Sequence, residues 1–133
     1  PVEPKRWLQL QRLAHGGLRW RGPVPPHRLP AVLQRYRAGI VPLGTSWFGR
    51  ELTSPLKAWS LLGAGVPFVG ADVPSLHRVA PGAFVPYTSG DAASLVSALR
   101  QLTDDAVWSR LRDAGEPRSW HDRAAEVEEV LRG

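Results

Sequence analysis

The segment Thr53-Ser54-Pro55-Leu56-Lys57 carries the most chemical content in the chain, because a loop of small and polar residues turns there into a helix. Ser54 offers the side-chain oxygen of a helix N-cap. Pro55 suits the first helical position, whose N–H has no acceptor within the helix. The pattern predicts a helix over residues 55–62 whose unpaired N–H groups and positive dipole end face the loop at residues 44–53. Such a helix end is a seat for a phosphate or diphosphate. Lys57 agrees with an anion there, since the dipole disfavours a lone cation in a first helical turn.

Other reactive side chains form no recognisable set. His15, His27, His77 and His121 lie at no metal-ligand spacing and are expected at the surface or in caps. No Ser/His/Asp set, carboxylate pair or P-loop is visible, and no cofactor is expected. With no cysteine there is neither a disulfide framework nor a thiolate metal site. Of Trp7, Trp20, Trp47, Trp59, Trp108 and Trp120, most are expected to anchor the core. Trp47, beside Phe48 in the loop, is the candidate ligand wall.

The elements that would position these groups follow from periodicity. Trp7, Leu10 and Leu13 recur at helical spacing and predict a helix over residues 4–15, stopped by Gly16-Gly17. A short strand at 18–20, a helix at 29–36 and a strand at 39–43 precede the loop. After the helix at 55–62 come a strand at 67–70, a brief helix at 75–79 and a strand at 83–85 that ends before Pro86. Three helices, starting near Asp91, Asp104 and Trp120, complete the chain, with a stop at Gly115. Strands alternating with helices imply a parallel sheet covered on both faces, so Ile40, Val41, Phe68 and Val69 are expected to be buried. Ligands then belong at the carboxyl ends of the strands, near a topological switch point.

Composition bounds the remaining possibilities. At 133 residues, with 43% hydrophobic and 22% charged, the chain has the size and balance of one soluble domain. No apolar run approaches the roughly 20 residues of a membrane span and no signal peptide opens the chain, so a cytoplasmic location is expected. The start at Pro1 and the absence of methionine suggest a processed chain or a piece of a longer one. Seventeen basic against 12 acidic residues leave a net charge of +5, and every basic residue except Lys5 and Lys57 is arginine. These arginines are dispersed and accompany no nucleic-acid-binding signature, so no nucleic-acid partner is expected.

Taken together, Gly22-Pro23-Val24, Ile40-Val41-Pro42-Leu43, Ser54-Pro55-Leu56-Lys57, Gly65-Val66-Pro67, Asp72-Val73-Pro74 and Ser119-Trp120 resemble the C-terminal, donor-binding half of GT-B glycosyltransferases. The likeness is strongest to bacterial members of the retaining type with a Ser-Pro-Leu-Lys helix start, and it runs from about Gly17 onward. It implies a single Rossmann-like domain over residues 1–133 that binds a nucleotide-diphosphate sugar. The family's first strand, with its diphosphate-gripping glycine, arginine and lysine, has no counterpart here, and an N-terminal acceptor domain of the same parent protein would be its partner. Val24 would meet the nucleobase through backbone groups. Gly49, Arg50, Glu51, Leu52, Ser54, Pro55 and Leu56 would hold the diphosphate and sugar, and Lys57 would reach a phosphate or ribose oxygen.

The departures from the family pattern concern the ribose. Relatives carry a glutamate five residues before the glycine of the Gly-x-Pro element, and here that position is Ser60, which cannot hold two hydroxyls as a carboxylate does. The partner glutamate eight residues earlier falls on Leu52, with Glu51 adjacent. Glu51 fills that role through a loop shift, or donor binding is altered or lost. The domain on this reading is the donor half of a transferase, inactive alone, with Lys57 and Glu51 as its catalytic candidates. The alternatives are a non-catalytic module with a degenerate donor site, whose basic surface meets a partner or an anionic membrane, and half of a nucleotide-sugar epimerase.

Overall fold

The run Val66-Pro67-Phe68-Val69 is apolar without interruption, as a strand buried on both faces requires. In the computed structural model, which describes residues 4–13, 17, 19, 21–44, 46–52, 55–115 and 120–132, this run leads into the central strand β2 (Phe68–Ala71). It pairs in parallel with β1 (Gly39–Val41) and β3 (Phe84–Tyr87), in the order β1-β2-β3. The fold is α/β and Rossmann-like. Register places Gly39, Phe68 and Phe84 on one face and Ile40, Val69 and Val85 on the other.

The first face is covered by α3 (Leu56–Gly63) and α4 (Pro74–Val79). Gly70 has no side chain because none fits: a Cβ there would lie 2.8 Å from Leu76 Cδ1 and 3.0 Å from Phe84 Cδ2. Ala58, Leu61 and Leu62 form the buried stripe of α3 at helical spacing. The helix stops through two hydrogen bonds, Gly65 N–H to Leu62 O at 2.9 Å and Val66 N–H to Leu61 O at 3.0 Å. These need Gly65 in the left-handed region, at φ 66°. On the second face Val69, Ala71, Val85 and Tyr87 are buried, and α5 (Ala92–Gln101) packs on β2 and β3.

The expected caps at Asp91 and Asp104 are present. Asp91 Oδ1 accepts from Ala93 and Ser94 at the start of α5, and Asp104 Oδ1 from Ala106 and Val107 at the start of α6 (Asp105–Ala114). The first and last helices are α1 (Pro4–Leu13) and α7 (Trp120–Arg132), with exposed Leu8, Val127, Val130 and Leu131.

Several expectations need correction. Ile40 is 46% exposed although its register partner Val69 is fully buried. Among the described strands β1 lies at the edge of the sheet, and apolar residues predict burial only where a neighbour supplies cover. β3 continues through Pro86 to Tyr87, because an edge strand leaves one side free of ladder bonds and proline can occupy it. Residues 29–36 divide into a 3-10 turn at Pro26–Arg28, the short helix α2 (Leu29–Leu33) and a turn. The strand expected at 18–20 falls mostly outside the described residues, and Arg19 between them is not in a strand. The strand order is sequential, so the three described strands contain no switch point. No described tryptophan belongs to the buried core, although Trp59 packs against it.

Arg37 ties β1 to the α5–α6 corner. Its guanidinium donates to Leu102 O at 2.8 Å, to Thr103 O at 3.1 Å and to Asp105 Oδ1 at 2.6 Å. Trp108 Nε1–H donates to Arg37 O at 2.6 Å, and the guanidinium lies 5.9 Å from the Trp108 ring centroid. Arg37→Ala is expected to cost about 1–2 kcal/mol, chiefly through the lost carbonyl bonds, because the half-exposed ion pair adds little. Chemical denaturation checks this, with Arg37→Lys recovering only part of the loss since an ammonium cannot span three acceptors as the fork does.

Candidate functional site

Parallel strands bring their carboxyl ends to one edge, and the segments leaving β1, β2 and β3 meet there. Ser89 Oγ–H from the β3 exit donates to Leu43 O just beyond β1, at 2.9 Å. Past Leu43 the chain makes a π-helical turn over Phe48–Leu52, where the sequence suggested an open loop. Ser46 starts this turn: its Oγ accepts from Gly49 N–H at 3.2 Å and its carbonyl from Arg50 N–H at 3.0 Å. Gly49 is buried, and a Cβ on it would lie 2.6 Å from the backbone oxygen of Gly44, so the close approach requires glycine.

The turn is fastened to α4. Buried Ser75 donates its hydroxyl to Gly49 O at 3.3 Å, and Arg78 Nη2 donates to Glu51 O at 2.9 Å. Arg78 Nη1 also lies 3.6 Å from Glu51 Oε2. Sequence reasoning passed over Ser75 and Arg78, which sit on a different helix and become partners of the turn only through the fold. Their spacing, three residues apart on one helix face, was the available signal. Glu51 is thus a paired carboxylate, still about one-third exposed.

Pro55 is the flanking residue of α3 (φ −79°, ψ 77°) and the helix begins at Leu56, one residue later than expected. Ser54, the expected N-cap, lies outside the described residues, as does the side chain of Leu52. Pro55 O accepts from Ala58 and Trp59. The N–H groups of Leu56 and Lys57 have no acceptor among the described residues, and the exposed Lys57 has no ion pair among them. Among the described residues, two amides without acceptors and one ammonium without an ion pair therefore share the first turn of α3, a donor set suited to an anion. Ser60, one turn on, donates its hydroxyl to Leu56 O at 2.9 Å and keeps only lone pairs for a ligand.

Gly49, Arg50, Glu51, Leu52, Pro55, Leu56 and Lys57 accordingly lie along the segment leaving β1. Val24 stands apart from them. It lines an open depression of about 450 Å³ with Arg21, Val32, Arg35 and Tyr36, beside α2. His77, expected at the surface or in a cap, has a defined partner: its Nε2 lies 2.7 Å from Asp72 Oδ1 beyond the end of β2, and its ring packs 5.1 Å from that of Phe84. Among the described residues no group of three His, Cys, Asp or Glu could hold a metal ion, and no helix is long and apolar enough to cross a membrane.

The chain is similar to a glycosyltransferase. It is 27% identical over 107 residues to a Bacillus subtilis (strain 168) protein described as "Putative teichuronic acid biosynthesis glycosyltransferase TuaH". The match covers 77% of this chain and 27% of that protein, so the chain spans about a quarter of its relative's length. No protein-family model matches the chain.

Proposed function

We propose that this domain is the donor-binding half of a GT-B-type glycosyltransferase that takes its sugar from a nucleotide diphosphate. The similarity to a glycosyltransferase over most of the chain carries this reading, and the donor set at the start of α3 supports it. The diphosphate would sit on the N–H groups of Leu56 and Lys57 with the Lys57 ammonium beside it. Charge grows on the departing diphosphate during transfer, and fixed donors there stabilise the transition state more than the ground state. The nucleobase would occupy the depression at Val24, and the ribose would lie between Glu51 and the Ser60 lone pairs. An N-terminal domain of the same parent protein would supply the acceptor site and the rest of the cleft.

Titration calorimetry with UDP, GDP and ADP tests the reading. At least one is expected to bind this domain with a Kd of about 1 mM, or about −4 kcal/mol. Lys57→Ala should abolish that heat. A folded domain giving no heat with any of the three at millimolar concentration would instead point to a module whose donor site has decayed.

A further inference from the structure

Trp47 is 68% exposed and Phe48 65% exposed, side by side where the chain leaves β1. A large aromatic side chain ordinarily removes about 150–250 Å² from water, so a tryptophan left as exposed as Trp47 needs a reason. The backbone of the turn that carries Trp47 and Phe48 is held by hydrogen bonds involving Ser46, Ser75 and Arg78, and Gly49 lies so close to Gly44 that a Cβ on it would be 2.6 Å from the Gly44 oxygen. The same turn also carries Ser46, Arg50 and Glu51, and the chain then leads to α3, whose Leu56 and Lys57 N–H groups have no acceptor among the described residues.

We infer that Trp47, with Phe48 beside it, is the face on which the sugar ring of the donor packs. This rests on the donor-binding reading and adds a specificity element to it. A pyranose has a flat face of C–H groups and a rim of hydroxyls. An aromatic plane answers the first, and the serine, arginine and carboxylate of the turn answer the second. The ring would hang from the diphosphate seated at Leu56 and Lys57, so the two subsites are separable by chemistry: a nucleoside diphosphate reports one, and a sugar nucleotide reports both.

The experiment uses the full-length protein that carries this sequence, with UDP-glucose, GDP-mannose and ADP-glucose as probes against UDP, GDP and ADP. Trp47→Ala is expected to weaken whichever sugar nucleotide binds by about tenfold, equivalent to about 1.4 kcal/mol, while its nucleoside diphosphate binds as before. Trp47→Phe, which keeps an aromatic plane, should recover most of the loss. Equal weakening of both ligands would place Trp47 against the nucleobase and overturn the inference. So would unchanged binding of both, whether or not the melting temperature falls, and a fall would show that Trp47 packs against another part of the protein. If the diphosphate binds the wild-type protein but the sugar moiety adds nothing, the inference fails and the donor site stands. If no nucleotide binds, both fail.

Discussion

Lys57→Ala in the full-length protein is expected to lower kcat/KM by about tenfold to a hundredfold, because a lost charge-assisted contact to phosphate costs roughly 1.5–3 kcal/mol. The structure makes this expectation sharper than helix position alone does. Lys57 is exposed and has no ion pair among the described residues, so its removal breaks none of the ion pairs described. Alanine also has slightly the better helix propensity, and the change at an exposed site should leave stability within about 0.5 kcal/mol. A solvated lysine with no ligand predicts unchanged kinetics. Steady-state rates over a range of donor concentrations separate the cases, and circular dichroism melts verify that the fold is unaltered. A loss confined to kcat would place the contact in the transition state, whereas a rise in KM alone would mean uniform donor binding.

Phe68→Ala is expected to remove about 3–5 kcal/mol of stability, the usual cost of emptying a fully buried aromatic site. Phe68 starts the central strand, has no exposed surface and stacks on Phe84 with ring centroids 5.3 Å apart and planes 5° apart. Gly70 on the same face already gives its space to Leu76 and Phe84, so these neighbours are wedged and close the void poorly. A loss of that size is a large part of the about 5–15 kcal/mol by which domains are stable. It should lower the melting temperature by about 10–20 °C. Ile40→Ala is the internal comparison. Ile40 has the same residue class and lies in the neighbouring strand, but it is half exposed at the sheet edge, so its truncation should cost about 1 kcal/mol. Equal losses at the two positions would contradict this placement of β1.

The sequence by itself determined the elements whose cause is local. Asp91 and Asp104 cap helices because an aspartate before an apolar periodic run has one good use for its carboxylate. Gly65 ends α3 because the stop needs a left-handed residue. The unbroken run through Phe68 and Val69 forms a strand covered on both faces. The start of α3 was legible to within one residue for the same reason, since Pro55 acts on the backbone next to it. The tertiary structure alone decided whatever depends on which elements meet. Ile40 reads like Val69, and only the strand order shows that one is at an edge and the other at the centre. Glu51 reads like any loop charge, yet α4 brings Arg78 to its carboxylate and its carbonyl. His77 and Asp72 form a pair because a strand end and a helix start bring them face to face. Trp47 reads like the other tryptophans, and only the folded chain shows it well exposed, on a turn fastened to α4. Local propensity and capping act between residues a few positions apart and can be read in order along the chain. Burial and ion pairing depend on distances through space, which the chain sets only once it has folded.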